Sequence, residues 1–240
     1  MGDPSDSGGE EEAGGSSPCL LHELGPDGVP RVDQAQARDV ARWRRAERER
    51  LIAARLALPA EYRKVQTEAI AAELDRCIPP GTGALVSVYW PIRAEPDLRL
   101  WMRSASERGI RIALPVATAL ARPLTFREWR PGAPLARGLW NIPFPAEGVE
   151  VTPTIVIAPV VGFDRACFRL GYGGGFFDRT LAAATVRPLA IGVGYPDAAI
   201  PTIFPQPHDI AMDRILAGTA PPAHRVCGAP RPGPAPLGHE

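Results

Sequence analysis

The sequence predicts an α/β fold: a single domain with a mostly parallel central sheet flanked by helices, opened by a long N-terminal helix. Three observations carry this. Residues 84–115 read as strand, helix and strand, with Val86 and Val88 sharing a face and Gly109 closing the helix. Thr154–Val161 is a continuous apolar run suited to a strand buried on both faces, and Leu189–Gly194 is a second. Between these two runs lies a glycine-rich stretch, residues 169–178, of the kind that joins a strand to a helix in such folds.

The elements follow in order. Residues 1–31 are rich in Gly, Ser, Pro and acid and are expected to be a disordered acidic tail. Asp33 and Gln36 form a capping box for the first helix, which places Trp43, Leu51, Ile52, Leu56 and Leu58 on one side and arginines elsewhere. Pro59 separates a second helix, 60–77, which Pro79, Pro80 and Gly81 terminate. Strand 84–89, helix 97–108 and strand 110–115 come next, then a strand at 124–129. After the buried run at 154–161, a Gly162-Phe163-Asp164 turn leads to the glycine stretch, where a helix starts near Gly174 and runs through Leu181. Strand 189–194 and a short strand at 212–216 complete a domain expected over 32–219, followed by a disordered Pro-rich tail at 220–240.

Composition limits the chemistry. The chain has 240 residues with 27 basic and 27 acidic side chains, yet only one of the basic residues is a lysine, Lys64. A lysine phosphate loop or Schiff-base mechanism therefore has a single candidate. The acids are concentrated at the start: residues 1–30 hold seven and no Lys or Arg, leaving residues 31–219 with 25 basic against 19 acidic. That modest surplus suits a polyanionic small molecule. It is too scattered for nucleic acid, so no nucleic-acid partner is expected. No run reaches the roughly 20 apolar residues of a membrane span. There is no secretory signal, so no membrane partner and a cytoplasmic location are expected. Cys19, Cys77, Cys167 and Cys227 are far apart and make no Cys-x-x-Cys pair.

The segment Arg169–Arg179, RLGYGGGFFDR, is the most informative. Its glycines allow positive φ and close approach of backbone N–H groups to a ligand, and a helix start adds an anion-binding dipole. Arg169 supplies charge, and Asp178, one turn into the helix, can hold magnesium. A tight glycine turn without ligand accounts for the same glycines. Neither common nucleotide motif fits, because Phe176 stands where the Walker lysine, or the third glycine of a dinucleotide fingerprint, would be.

These residues resemble the 5-formyltetrahydrofolate cyclo-ligase family, whose signature is Arg-Leu-Gly-x-Gly-x-Gly-Tyr/Phe-Tyr-Asp after a Gly/Ala-Phe-Asp turn. Both are present, at 169–178 and 162–164, and further landmarks extend the resemblance over about 40–219. It implies an α/β enzyme of small-molecule substrates, monomeric by default. Such an enzyme uses ATP and Mg2+ to convert 5-formyltetrahydrofolate to the 5,10-methenyl form, releasing ADP and phosphate. Chemistry of this kind needs cations around a phosphoryl group and little covalent participation by the protein.

Carried over by position, the resemblance implies ATP binding by Arg44, Arg45, Ala46, Glu47 and Arg48, and by Arg169, Leu170, Gly171, Tyr172, Gly173, Gly174, Gly175, Phe176 and Phe177. Arg169 and Phe176 are the catalytic candidates. Folate would contact Trp90, Glu95 and Trp140 together with Tyr172–Phe176, and the metal would be linked to Asp178 and Asp209. The family's first-helix motif, Lys-x-x-Leu-Arg with another Arg seven residues on, places Arg44 for the Lys and Glu47 for the Leu, with Arg48 and Arg55 as the two arginines. Simpler roles stand beside these: a solvated arginine face for the helix, a helix-start acid for Glu95, core packing for Trp90, and a turn or cap for Asp209. Phe144 replaces a Glu or Gln that usually precedes Pro145, and Phe177 replaces a Tyr. Those changes, with Arg44, suit an alternative function, a non-catalytic folate- or nucleotide-binding regulator of the same fold. A generic phosphosugar-binding domain explains the glycine stretch but not Glu95 or Trp140-Asn141-Ile142.

Overall fold

The computed structural model describes residues 34–225, so Asp33 and most of both expected tails lie outside the described residues. Helix α1 spans Gln34–Ala57. Its first residues, up to Arg42, belong to a unit separate from the compact body that starts at Trp43. Helix α2 (Ala60–Cys77), strand β1 (Leu85–Ser87), α3 (Arg99–Glu107), β2 (Arg111–Val116) and β3 (Thr125–Trp129) follow. A small hairpin, β4 (Leu135–Arg137) with β5 (Pro143–Pro145), precedes β6 (Ile155–Pro159). A second one, β7 (Gly162–Phe163) with β8 (Arg169–Leu170), precedes α4 (Phe176–Ala183). Strands β9 (Leu189–Gly194), β10 (Arg214–Ala217) and β11 (Ala223–His224) end the described chain.

The central sheet has the order β11-β10-β9-β6-β1-β2-β3. Its four inner pairings are parallel, and only the edges β3 and β11 run antiparallel. Period-two alternation sends successive residues of one strand into different cores. Ile155 and Ile157 of β6 join Ile70, Leu74, Leu98 and Met102 from α2 and α3 on one face. Ala158 meets Leu181 of α4, Met212 and Ile215 on the other. Each fully buried Ile or Leu contributes about 1.5–3 kcal/mol.

The chain crosses from the β1-β2-β3 side to the β6-β9-β10 side between β1 and β6. Segments leaving the carboxyl ends of β1 and β6 diverge there, and such a switch point leaves a crevice for ligand.

Three expectations are revised. The inward face of α1 carries Arg44, Arg48 and Arg55 beside the expected Leu51, with Trp43 and Ile52 packed against the same core, but not Leu56, which is 55% exposed while Arg55 is 7% exposed. These arginines turn inward because backbone carbonyls of distant segments, and the Asp209 carboxylate, accept their hydrogen bonds. Helix α4 begins two residues later than expected, since Gly175 before it has left-handed φ of 62°. The sheet also continues to Ala223–His224, beyond residue 219. The two hairpins were not foreseen: one carries prolines at both ends of β5, and the other has two-residue strands organised by a buried carboxylate. Asp164 accepts the N–H groups of Ala166, Phe168 and Ile203.

Candidate active site

A cavity of about 640 Å³ opens at the switch point, its floor formed by Tyr89 after β1 and Pro159 at the end of β6. Helix α1 supplies Arg44 and Arg48, the loop after β1 supplies Trp90, Arg93 and Glu95, and the β4–β5 hairpin supplies Trp140 and Phe144. The whole segment Arg169–Asp178 and the pair His208 and Asp209 complete the wall. Segments far apart in sequence thus converge on one space.

The glycine segment forms a turn rather than the first part of a helix. Gly173 has φ of 93° and Gly175 of 62°, both in the region that side chains rarely adopt. Beside Gly171 there is open space where a side chain would stand. Arg48 holds the turn by donating from Nε to the Gly171 carbonyl at 2.7 Å. Its two Nη atoms have no hydrogen-bond partner among the described residues. Burial, and then the neighbouring charge of Arg44, lower its pKa against the opposing charge of Asp209, and a bound anion would favour the charged form further.

Arg169 and Arg44 are already engaged. Arg169 donates through both Nη atoms to Asp178 at 3.1 and 2.9 Å and lies 5.6 Å from the centre of the Phe177 ring. Asp178 also accepts the Ile210 N–H at 3.1 Å. Arg44 donates to the carbonyls of Ile203 and Phe204, both at 2.9 Å, and pairs with Asp209 through both Nη atoms. Asp209 accepts the Gln206 N–H as well. The fork of Arg44 is thus occupied by the protein, which the sequence alone does not reveal.

Glu95, also in the lining, is 5% exposed. Its Oε2 accepts the Ile92 N–H and its Oε1 accepts the Tyr172 hydroxyl, both at 2.8 Å. Burial raises its pKa, against those two bonds and the positive charges of Arg55 and Arg93. Burial likewise pushes the Tyr172 phenol well above its usual range. Arg93 stands 5.6 Å from the Tyr172 ring centre and, with Ala94, has positive φ. Strain of this kind persists only where surrounding structure enforces it.

Trp140 is 60% exposed, with φ of 54°, and meets Phe176 edge-on at 5.3 Å. Phe144 lines the cavity under the Arg127 guanidinium, 5.5 Å away. Trp90 is half-buried, with Arg99 over its ring.

The structure therefore brings together Arg44, Arg48, Trp90, Glu95, Trp140, Arg169–Phe177, Asp178 and Asp209. It does not bring Arg45, Ala46 or Glu47 to the cavity: Arg45 pairs outside with Glu49, Glu47 with Arg50, and Ala46 is exposed. A five-residue stretch of helix can present only the first and last of its residues to one side. Sequence reasoning missed Arg93, whose signal was its place two residues before Glu95, and passed over Arg55, used only for spacing.

A model of the 5-formyltetrahydrofolate cyclo-ligase family matches residues 40–218. The chain belongs to this family. A cyclo-ligase of Mycolicibacterium smegmatis is 35% identical over 144 residues, covering 56% of this chain and 74% of the relative. One from Haemophilus influenzae is 26% identical over 140 residues, covering 55% and 75%. The solved 5,10-methenyltetrahydrofolate synthetase of Aquifex aeolicus has a TM-score of 0.67 at 24% identity, over 82% of this chain and 96% of its own. As a cyclo-ligase family member the chain is an enzyme of folate one-carbon metabolism, with ATP as co-substrate of the family. Among the described residues no helix is long and apolar enough to cross a membrane.

Among the described residues, no three His, Cys, Asp or Glu side chains come together as a metal cage. Asp178 and Asp209 nonetheless fit a nucleotide-borne magnesium ion. Each carboxylate has four lone-pair sites and accepts three hydrogen bonds, leaving one free. Magnesium commonly takes one or two carboxylates and completes its shell with phosphate oxygens and water.

Proposed function

We propose that this cavity converts 5-formyltetrahydrofolate and ATP to 5,10-methenyltetrahydrofolate, ADP and phosphate. The observation that carries the reading is that one cavity is lined by two different kinds of binding group. A glycine turn with the Nη atoms of Arg48 suits phosphate. The buried carboxylate of Glu95 is an acceptor for the N–H-bearing edge of a pterin. The two substrates then meet near Trp140 and Phe176.

The γ-phosphoryl group passes from ATP to the formyl oxygen, breaking its bond to the β-phosphate oxygen. N10 then attacks the activated carbon and loses its proton, and the carbon–oxygen bond breaks as phosphate departs with the former formyl oxygen. The protein's part is positioning and charge stabilisation. Arg48 and the amides of the turn hold the phosphates, while Arg169, kept in place by Asp178, adds positive charge where the phosphoryl group transfers. Phe176 and Trp140 cover the reacting centre and exclude water that would hydrolyse the phosphorylated intermediate. Asp178 and Asp209 would hold magnesium, which would neutralise phosphate charge when bound.

The test is turnover by the purified chain with Mg-ATP and 5-formyltetrahydrofolate. The methenyl chromophore in the near ultraviolet should grow in step with ADP. Absence of both, with folded protein, rejects the reading.

A further inference from the structure

Arg55 lies two turns beyond Arg48 on the inward face of α1, and its side chain is almost wholly enclosed. No carboxylate pairs with it among the described residues. Its Nε donates to the Arg93 carbonyl at 3.0 Å, one Nη to the Val160 carbonyl at 3.4 Å, and the other Nη to the Tyr172 hydroxyl. A buried guanidinium without an ion-pair partner is costly to hold, and its one side-chain contact is with the phenol of Tyr172 rather than with an acid.

The chemistry of the phenol gives this arrangement a direction. A guanidinium has donors and no acceptor, so the Tyr172 oxygen must accept from Arg55. The single phenolic proton is then available for Glu95 Oε1, 2.8 Å away. Oε2 is fixed independently by the Ile92 N–H. Each oxygen is therefore oriented by one donor and retains a lone pair.

We propose that Arg55 and Tyr172 are positioning residues for Glu95: the guanidinium orients the phenol, and the phenol orients the carboxylate toward the folate. This rests on the reading of Glu95 as the folate acceptor. It gives the Tyr172 hydroxyl a role other than contact with either substrate. It also ties Glu95 to the glycine turn, because Tyr172 stands between Gly171, whose carbonyl is held by Arg48, and the strained Gly173.

Tyr172→Phe removes one oxygen and keeps the ring beside Arg93. Losing a hydrogen bond to a charged group should weaken 5-formyltetrahydrofolate about ten-fold, in KM and in calorimetric binding without ATP. The KM for ATP should rise less than that for the folate, because the turn offers phosphate its backbone N–H groups and not this hydroxyl. Arg55→Lys keeps the charge but cannot form all three bonds, so it should show the same selective loss, smaller than in Tyr172→Phe. Unchanged folate binding in Tyr172→Phe, or equal weakening of both substrates, would overturn the inference while leaving the proposed reaction intact. A wild-type chain that neither binds nor converts the folate defeats the underlying reading instead.

Discussion

Arg169 and Asp178 face each other as a bidentate pair across the two ends of the glycine turn, with nitrogen–oxygen distances of 3.1 and 2.9 Å. The arginine side chain is 4% exposed and the aspartate 17%, so this pair is shielded from water. Asp178→Asn keeps a carbonyl for the Ile210 N–H but leaves the guanidinium without its counter-charge. Stability should fall by about 2–3 kcal/mol, or roughly 4–10 °C in Tm. Turnover should fall at least about a hundred-fold, because both the orientation of Arg169 and an oxygen facing the nucleotide are lost. Differential scanning calorimetry with the chromophore assay separates the two effects. Near-normal turnover would remove Asp178 from the phosphoryl end.

Arg44 and Arg48 lie one turn apart and should behave oppositely. Arg44 spends its fork on two carbonyls and Asp209. In Arg44→Lys a single ammonium cannot replace that fork, and Tm should drop by roughly 4–10 °C while the KM for ATP stays within about three-fold. Arg48→Ala removes a half-buried cation whose Nη atoms face the cavity, so Tm should change little and the KM for ATP rise about ten-fold or more. A rise for the folate instead would mean that α1 serves the other substrate.

Where the chain follows local rules, its fold is legible in the sequence. The second helix and the strand at 189–194 occur with the expected bounds, since Pro59 and Pro79 delimit the one and an unbroken apolar run defines the other. Long-range partners are not legible. Arg44, Arg48 and Arg55 look like a solvated charged face until the carbonyls of Ile203, Gly171 and Arg93 are placed beside them. Two consecutive left-handed residues at Arg93–Ala94, and two more at Trp140–Asn141, have no glycine to announce them; tertiary packing enforces them. Motif spacing marks many of the residues that line the cavity, though not Arg93, whereas their hydrogen-bond partners require the fold.

Gly171 and Gly175 offer a test of what the glycine turn is for. Gly175→Ala places a side chain at a φ of 62° and within 2.8 Å of Arg179 Nη1, which should cost about 1–2 kcal/mol of stability. Gly171→Ala meets no atom within 4 Å, and its backbone is not in the left-handed region. The folded protein should tolerate it with an unchanged Tm. If the open space belongs to phosphate, the added methyl group will still raise the KM for ATP about ten-fold or more. Unchanged ATP kinetics would show that the turn is structural.

Glu95 makes a prediction about pH in which affinity and stability move in opposite directions. Burial raises its pKa from the usual 4.5, with Ile92, Tyr172, Arg55 and Arg93 opposing. A raised carboxyl pKa means that the folded state binds the proton more tightly than the unfolded chain does. Its contribution to stability is therefore complete below the unfolded value and is lost as pH rises through the folded one. Folate recognition needs the ionised form, which accepts N–H bonds, so the KM for 5-formyltetrahydrofolate should fall over the same rise. The acidic limb should lie above pH 4.5. Glu95→Gln should raise that KM throughout and abolish the limb, with any dependence that remains belonging to the substrate's own titration. An identical limb in the wild-type and Gln variants would show that Glu95 does not receive the folate.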